Sequence, residues 1–276
     1  MRTFSAHLKH IVIRVSRLPA VSNAAKGLHI LRSRVRSRGP GYMRETAIIL
    51  DGDFGKSGLA KSLMKSFRFA NLGPSRLPRW VLNLEGMSGR RYRRLVNNLV
   101  SRVADPVYLE VGSWMGSTVC AALWNNPATA VCIDNWSEFG GPRDAFMKNL
   151  SRVKGDSSVS VLEEDFRLVQ WGQIFPKANI YLFDGPHFEM DQFDGIALAL
   201  PALEDEFILI VDDFNWDYVR EGTFRAMSEK NLAVVASITI RTNASGREPK
   251  VWMEKSDWHN GYFIAVLAKE GSGLKR

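Results

Sequence analysis

Two acidic turns stand out because each one directly follows an apolar run suited to a buried strand. One run ends in Asp184-Gly-Pro-His187 and the other ends in Asp212-Asp213. Carboxylates at the ends of neighbouring strands repel one another unless a positive group lies between them. A hard divalent cation is the natural counter-charge, and ligands that offer only oxygen favour Mg²⁺ or Mn²⁺ over Zn²⁺. Helix capping is the simpler explanation for one carboxylate per turn, but it explains the adjacent pair poorly.

His187 lies three residues after Asp184 and is a candidate general base. A bound cation lowers the pKa of a hydroxyl that it contacts, as it does for bound water. Imidazole titrates near neutral pH and could take the released proton. The alternative is a turn histidine without a catalytic role.

A strand, a tight turn and a helix are predicted around residues 107–124. The apolar run ends at Gly112, and a second glycine, Gly116, precedes the helix. Glycine lacks the Cβ atom that would hinder a ligand from approaching the backbone N–H groups of such a turn. Glu110 interrupts the apolar run, and a buried carboxylate there needs a partner, for which a ligand amine is one candidate. A generic strand-to-helix turn is the alternative.

The next predicted strand, residues 130–133, ends in Asp134. An acid about 20 residues after a glycine turn is where nucleotide-binding folds hydrogen-bond a ribose. The glycine spacing is not the dinucleotide pattern Gly-x-Gly-x-x-Gly. The first glycine is Gly112, and the next one in the chain is Gly116, four residues later.

At these residues the sequence resembles class I S-adenosylmethionine-dependent methyltransferases. Within that family it is similar to the branch that contains macrolide and aminocoumarin sugar O-methyltransferases. The resemblance is carried by the run LEVGSWMGST at 109–118 and by Asp134-Asn135-Trp136, and it covers residues 84–269. It implies S-adenosyl-L-methionine as cofactor, with Mg²⁺ or Mn²⁺ as the metal.

The resemblance also implies roles for individual residues. The metal ligands would be Asp184, Asp212 and Asp213, with His187 as the catalytic base. The cofactor-binding residues would be Glu110, Gly112, Ser113, Gly116, Ser117, Asp134, Asn135, Asp165, Phe166, Met87 and Ser88. In the resembled branch the segment of Met87 and Ser88 folds over the methionine end of the cofactor, and an acid and an apolar residue at Asp165 and Phe166 meet the adenine. The alternatives are a helix N-cap at Ser88 and a capping acid at Asp165 before a helix over 166–171.

Strand and helix patterns alternate through most of the chain, which predicts a doubly wound, mostly parallel sheet. Residues 233–240 and 262–268, joined by a polar loop, predict the antiparallel pair that closes a methyltransferase sheet. The expected fold is therefore α/β, a Rossmann-like doubly wound sheet of seven strands with an antiparallel last strand. We divide the chain into a basic helical N-terminal arm (1–44), a helical lid or linker (45–100) and a methyltransferase domain (101–270).

The positive charge of the chain is concentrated in the arm. Residues 1–44 hold ten of the 37 Lys and Arg residues and no acid, which leaves 27 basic beside 29 acidic residues in the remainder. Apolar residues at helical spacing, among them Leu28, Leu31 and Val35, predict two basic amphipathic helices. Such helices suit peripheral contact with an anionic membrane, while an acid-free, Arg- and Ser-rich segment also suits an organelle transit peptide or a partner-packed extension.

The composition is that of a globular protein, with 45% hydrophobic and 24% charged residues. No apolar run approaches the roughly 18 residues of a membrane span. Cys120 and Cys132 have neither metal-binding nor redox spacing, so we expect reduced thiols in a cytoplasmic protein, membrane-peripheral if the arm binds lipid.

The leading functional hypothesis is metal-assisted O-methylation of a hydroxyl on a sugar, glycan or related small molecule. A nucleic-acid methyltransferase that uses the arm as an electrostatic handle is the second hypothesis. It is disfavoured because the remainder of the chain is near neutral and because no Asn-Pro-Pro-Tyr-type motif follows Phe183. A non-catalytic membrane- or partner-binding protein on the same scaffold is the third. The sequence is compatible with an oligomer.

Overall fold

The computed structural model describes residues 31–33, 46–243 and 251–271, which form one nine-stranded sheet with helices on both faces. The strands are β1 (Leu31–Ser33), β2 (Ala47–Gly52), β3 (Val107–Val111), β4 (Thr129–Ile133), β5 (Ser158–Leu162), β6 (Ala178–Phe183), β7 (Leu203–Val211), β8 (Ala233–Arg241) and β9 (Tyr262–Ala268). The α-helices are α1 (Gly58–Leu72), α2 (Arg79–Leu82), α3 (Arg90–Val100), α4 (Ser117–Leu123), α5 (Arg143–Ser151), α6 (Glu189–Ala199) and α7 (Asp217–Glu229).

Across the sheet the strands follow the order β1-β2-β8-β9-β7-β6-β3-β4-β5. The five strands from β3 to β7 are mutually parallel. β9 runs antiparallel to both of its neighbours, β7 and β8. The seven strands from β5 to β8 therefore have the order and the single reversed strand of a class I methyltransferase sheet, and the predicted Rossmann-like fold is confirmed.

Two additional strands, β1 and β2, correct the prediction for the N-terminal part of the chain. Leu31 was assigned to an amphipathic helix, but residues 31–33 pair with β2 as a strand. The segment 45–100, expected to be helical, begins with β2, which pairs with β8 over all six of its residues. The run Ala-Ile-Ile-Leu favours a strand because β-branched side chains fit a pleated surface. The rest of the basic arm, with its predicted membrane contact, lies outside the described residues.

The helix predicted over 166–171 is wrong. These residues form turns that lead into a single 3-10 turn at Trp171–Gln173. Oδ1 of Asp165 accepts the backbone N–H of Arg167 at 2.8 Å, and Nε1 of Trp171 donates to the carbonyl of Phe166 at 3.0 Å. Side chains satisfy the backbone here in place of helical hydrogen bonds.

The parallel strands end at the same level, and this places their following residues along one edge of the sheet. Val111 lies opposite both Ile133 and Phe183, and Phe183 lies opposite Val211. The residues that come next are Gly112, Asp134, Asp184 and Asp212. Because β9 is antiparallel and pairs Phe263 with Val211, the residues that precede β9 reach the same edge.

Apolar side chains form a buried layer on each face of the sheet. One layer packs the strands against α1, α3, α4 and α5, and the other packs them against α6 and α7. With both faces covered, residues 180–183 of β6 and 207–211 of β7 are continuous apolar runs, as expected for parallel strands. Cys120 and Cys132 are buried free thiols. Among the described residues, no helix is both long enough and apolar enough to span a membrane.

Candidate active site

Three aspartates meet where β6 and β7 end. Asp184 follows β6 and Asp212 follows β7, and the register of the two strands holds them level. Asp213 adopts a left-handed conformation with φ of 54°. Its N–H donates to Oδ1 of Asp212 at 2.7 Å, which fixes the turn, and both of these aspartates are buried. Asp184, Asp212 and Asp213 therefore meet at two adjoining strand ends, and their role as metal ligands stays a prediction.

Burial and mutual repulsion make this acidic cluster costly to ionise. The pKa of Asp212 is raised, first by burial and then by the charges of Asp184 and Asp213. The pKa of Asp184 is raised, first by burial and then by the charges of Asp213 and Glu110. Within residues 46–243 and 251–271, the basic groups found within 4.0 Å of Asp184 and Asp213 are the imidazoles of His187 and His259.

His187 lies between two of the carboxylates. Its Nε2 is 3.6 Å from Oδ1 of Asp184 and 3.5 Å from Oδ2 of Asp213. Nε2 is buried and has no hydrogen-bond partner among the described residues. The imidazole also packs edge-on against the ring of Trp216, with centroids 5.5 Å apart. A nitrogen without a partner, between two acids, is suited to accept a proton from a ligand.

His259 is a second histidine at the cluster and was not identified from the sequence. It is buried, and its Nε2 lies 3.9 Å from Oδ1 of Asp213. Burial lowers the pKa of His259. Its Nδ1 accepts the backbone N–H of Met253 at 3.0 Å, so in the neutral ring the proton is carried by Nε2. His259 could have been predicted from the antiparallel strand expected to start at residue 262. The residues that precede such a strand lie at the edge of the sheet where the parallel strands end.

The donor set of the cluster fits a hard divalent cation. Possible ligand atoms of Asp212, Asp213 and His259 all lie within 4.8 Å of one another. His259 is nevertheless a poor ligand, because the neutral ring that accepts the Met253 N–H at Nδ1 has no lone pair at Nε2. Oδ1 of Asp213 is buried without a hydrogen-bond partner among the described residues. Oxygen ligands from Asp184, Asp212 and Asp213 match the preference of Mg²⁺ or Mn²⁺.

Glu110 lies on β3 and is completely buried. The hydroxyl of Tyr108 donates to its Oε2 at 2.5 Å, whereas Oε1 has no partner within the described part of the chain. Burial raises the pKa of Glu110 to about 7, and the hydrogen bond from Tyr108 opposes that rise. An unsatisfied buried carboxylate oxygen is costly, and the positively charged amine of a ligand would satisfy it.

Asp134 organises the turns at the ends of β3 and β4. Its Oδ2 accepts the N–H of Trp114 and its Oδ1 accepts the N–H of Trp136, both at 2.7 Å. The two tryptophans have left-handed backbones, with φ of 45° and 48°. The carboxylate therefore holds two unusual turns in place, and each of its oxygens keeps a further lone pair for a ribose hydroxyl.

The two glycines of the turn are required by the protein itself. Gly112 has φ of 83°, and a Cβ atom there would collide with the backbone carbonyl of Asp184 on the neighbouring strand end. Gly116 has φ of 79°, and its Cβ would lie 2.9 Å from the ring of Phe146. The absence of a Cβ atom at these glycines therefore makes room for the adjacent turn and for α5, and their predicted role in giving a ligand access to the turn stays a prediction.

The segment before α3 folds onto the start of α4. The hydroxyls of Ser88 and Ser117 are hydrogen-bonded at 3.0 Å, and Nε of Arg93 donates to Ser88 at 2.9 Å. Gly86 lies so close to Ser117 that a Cβ would collide with its hydroxyl. Ser88 is not the helix N-cap, because α3 begins after Gly89. The segment therefore packs against the start of α4, and its predicted contact with the methionine end of the cofactor stays a prediction.

The other predicted cofactor residues differ in exposure. Ser113 is buried and Met87 is half-buried, while Asn135 is exposed and accepts a hydrogen bond from the hydroxyl of Ser137 at 2.8 Å. Asp165 is half-buried. Phe166 is buried against Phe183, and the guanidinium of Arg167 lies 4.4 Å from the centre of its ring. The ring of Phe166 is therefore largely covered by protein.

Two tyrosines next to the acidic cluster were also missed. Tyr92 of α3 and Tyr262 of β9 stack with ring centroids 3.8 Å apart. Both hydroxyls are buried without a hydrogen-bond partner among the described residues. Burial, followed by the charge of Asp212, raises the pKa of each tyrosine. The charge of Asp212 therefore reaches both tyrosines.

No protein-family model matches the sequence, and no curated protein matches it. Solved structures with a similar fold include TrmN from Thermus thermophilus, with 15% identity, a TM-score of 0.42, and coverage of 64% of this chain and 48% of that chain. An O-methyltransferase from Bacillus cereus in complex with SAH has 13% identity, a TM-score of 0.44, and coverage of 77% and 91%. The O-methyltransferase TomG from Streptomyces achromogenes, in complex with SAM, has 13% identity, a TM-score of 0.43, and coverage of 77% and 90%. This chain spans about half the length of TrmN. The fold assignment rests on the order and direction of the strands and not on these likenesses.

Proposed function

We propose that the protein is an S-adenosyl-L-methionine-dependent O-methyltransferase that uses a divalent cation and acts on a sugar, glycan or related small molecule. The observation that carries the proposal is the position of Nε2 of His187, unpartnered and within 3.6 Å of carboxylates at the ends of β6 and β7. Ligands of doubly wound sheets bind at this edge.

The cofactor would occupy the ends of β3 and β4. Glu110 offers the unpaired Oε1 to an amine, and Asp134 offers its remaining lone pairs to ribose hydroxyls. When bound, S-adenosyl-L-methionine supplies an electrophilic methyl group on a sulfonium. The segment of Met87 and Ser88 packs against the start of α4, which would exclude water from this side of the site.

The acidic cluster would hold the metal and the acceptor. Asp184, Asp212 and Asp213 would bind Mg²⁺ or Mn²⁺, which supplies a positive charge that lowers the pKa of an acceptor hydroxyl. His187 would take the hydroxyl proton at Nε2 as the oxygen bonds to the methyl carbon and the carbon–sulfur bond breaks. Asp184 and Asp213 would stabilise the resulting imidazolium, since both lie within 3.6 Å of Nε2.

An aromatic rim beside His187 supports a ring-shaped acceptor. Trp216 lies edge-on to His187, and Tyr218 follows with its ring centroid 5.5 Å from that of Trp216. Phe188, next to the proposed base, is 78% exposed. Exposed aromatic faces bind the apolar face of a sugar ring as well as other rings. The rim is therefore the proposed acceptor side of the site.

The proposal is tested by incubating the purified full-length protein with labelled S-adenosylmethionine, Mg²⁺ and fractionated host glycans and small metabolites, with RNA as a parallel fraction. We expect label in a glycan or small-molecule fraction and calorimetric binding of S-adenosylhomocysteine. Label confined to the RNA fraction would contradict the proposed sugar, glycan or small-molecule acceptor and would indicate an RNA acceptor. Tighter binding of NAD than of S-adenosylhomocysteine would overturn the methyltransferase assignment.

A further inference from the structure

His259 is held in a strained backbone beside the acidic cluster. Its φ is 37°, and the φ of Met253, which it contacts through Nδ1, is 54°. Left-handed backbones are uncommon for residues other than glycine, and they persist where the surrounding structure enforces them. The surrounding structure therefore fixes the backbone of His259 beside the acidic cluster.

The loop that carries His259 is anchored to the first turn of α3. The carbonyl of Ser256 accepts the N–H of Arg90 at 2.8 Å, and the carbonyl of Asp257 accepts the N–H of Arg91 at 3.1 Å. The Asp257 carboxylate also pairs with Nε of Arg91 at 3.0 Å. These contacts satisfy N–H groups at the start of a helix, and they make the loop a rigid support.

The contact of His259 with Met253 determines which nitrogen of the His259 ring can donate a hydrogen bond. Because Nδ1 of His259 accepts the Met253 N–H, the proton of the neutral ring is on Nε2. Nε2 lies 3.9 Å from Oδ1 of Asp213, an oxygen that is buried without a hydrogen-bond partner within the described residues. The other oxygen, Oδ2, lies 3.5 Å from Nε2 of His187.

We propose that His259 is a positioning residue for Asp213, with its Nε2–H directed at Oδ1 so that the carboxylate keeps one orientation toward His187 and a bound cation. The separation of 3.9 Å exceeds a hydrogen bond, so the proposed contact requires the two side chains to approach by about 1 Å. Such contacts are often long before ligands bind. His259 then acts through Asp213 and is not itself a metal ligand. The metal-related part of this inference rests on the proposed function.

The tautomer is tested first, on the ¹⁵N-labelled full-length protein by long-range ¹H–¹⁵N correlation of the histidine rings. We expect Nε2 of His259 to be protonated and Nδ1 to be unprotonated. Asp213→Asn should shift the Nε2 resonance, whereas Lys255→Ala, at an exposed position of the same loop, should leave it in place. A proton on Nδ1, or an unchanged Nε2 resonance in Asp213→Asn, would overturn the proposal.

The effect on the cation site is tested by titrating Mn²⁺ and following free Mn²⁺ by electron paramagnetic resonance. We expect His259→Ala to weaken Mn²⁺ binding about 10- to 100-fold, the usual effect of removing a group that orients a metal ligand. His259→Gln keeps a side-chain N–H donor and should recover much of the affinity, and Lys255→Ala, at an exposed position of the same loop, should bind like the wild type. Equal affinities of the wild type and His259→Ala would contradict the proposal.

The two ideas fail in different ways. A wild type that binds no Mn²⁺ and transfers no methyl group would overturn the proposed function, and the ring correlation would still decide whether His259 orients Asp213. A wild type that binds Mn²⁺ and is active, with no loss in His259→Ala, would overturn the role of His259 alone.

Discussion

The hydroxyl of Tyr108 donates a 2.5 Å hydrogen bond to Oε2 of Glu110, two residues later on the same strand, whereas Oε1 has no hydrogen-bond partner among the residues that the structure describes. One oxygen is thus satisfied by the protein and the other remains available to a ligand. The tyrosine bond alone does not offset the cost of burying the charge, because the pKa of Glu110 is still raised from 4.5 to about 7.

Glu110 should therefore make the stability of the ligand-free protein depend on pH. A folded-state pKa above the unfolded value means that this stability is fully present below pH 4.5 and is lost as the pH rises through about 7. The loss is on the order of 3 kcal/mol. Glu110→Gln should lack this component, so urea unfolding at pH 5 and pH 8 should show a smaller pH effect in the variant. Equal pH effects in the two proteins would refute the assignment.

Arg93 should be a major contributor to the stability of the lid region. The guanidinium is fully buried, and it donates to the carbonyls of Val81, Leu82, Leu84 and Gly86 and to the hydroxyl of Ser88. Burial lowers its pKa to about 10, so it stays charged near neutral pH. Arg93→Met should cost about 2–4 kcal/mol in the free energy of unfolding, because several carbonyls lose their partner.

The matched control is Arg90→Met on the same helix. Arg90 is exposed and donates to Oδ1 of Asn83 at 2.8 Å. Its replacement should change the free energy of unfolding by no more than about 0.5 kcal/mol. If denaturation gives the same midpoint for both variants, the carbonyl cluster around Arg93 is not a stability centre.

The sequence was sufficient for the parallel sheet and for the acidic edge. Apolar runs that stop at an acid or a glycine mark strand ends, and parallel strands bring those ends together, so Asp134, Asp184 and Asp212 were found from local patterns. The residues that each strand end contacts could not be predicted, because they are distant in the sequence. Gly112 was predicted to give a ligand access to the turn, but the atom that a Cβ would meet there, the carbonyl oxygen of Asp184, lies 72 positions away in the chain.

Buried polar residues outside the strand ends were harder to predict from the sequence. Arg93 shares a helical face with Val96 and Val100, which predicts burial, but the residue type predicts exposure. Arg93 can be buried because its guanidinium donates hydrogen bonds to carbonyls of the segment before α3. The position of those carbonyls depends on tertiary packing and cannot be predicted from the local sequence. The short strand β2 was missed for a similar reason, since its pairing with β8 is long-range.

Deletion of residues 1–44 should leave a folded protein that binds S-adenosylhomocysteine. The deletion removes β1, but β2 keeps all six of its pairs with β8. Circular dichroism and calorimetry would check the fold and the ligand affinity. Loss of pelleting with anionic vesicles would support the membrane-surface role proposed for the arm. An insoluble truncation, or one that cannot bind the ligand, would show that the arm is part of the structural domain.

Asp134→Ala should weaken S-adenosylhomocysteine binding by about 1–3 kcal/mol, because the ligand hydroxyls lose a charged partner. It should also lower the melting temperature, since the N–H groups of Trp114 and Trp136 lose their acceptor. Glu138→Gln, at an exposed position of the same loop, is the control and should match the wild type in both measurements. Unchanged affinity in Asp134→Ala would remove Asp134 from the cofactor site.

The acidic cluster should make turnover dependent on a metal. Three aspartates at two adjoining strand ends are held together against repulsion, and a hydroxyl is a poor nucleophile until it is deprotonated. Activity should vanish in chelator and return with Mg²⁺ or Mn²⁺. Asp212→Asn and Asp213→Asn should abolish turnover while sparing the affinity for S-adenosylhomocysteine, because these residues lie on the proposed acceptor side.

His187→Ala should lower the rate by about 10²–10⁴, with part of the loss recovered at higher pH, where the hydroxyl ionises more readily. Full activity in chelator would exclude the metal, and it would leave the three carboxylates to act only through His187, whose Nε2 lies within 3.6 Å of two of them.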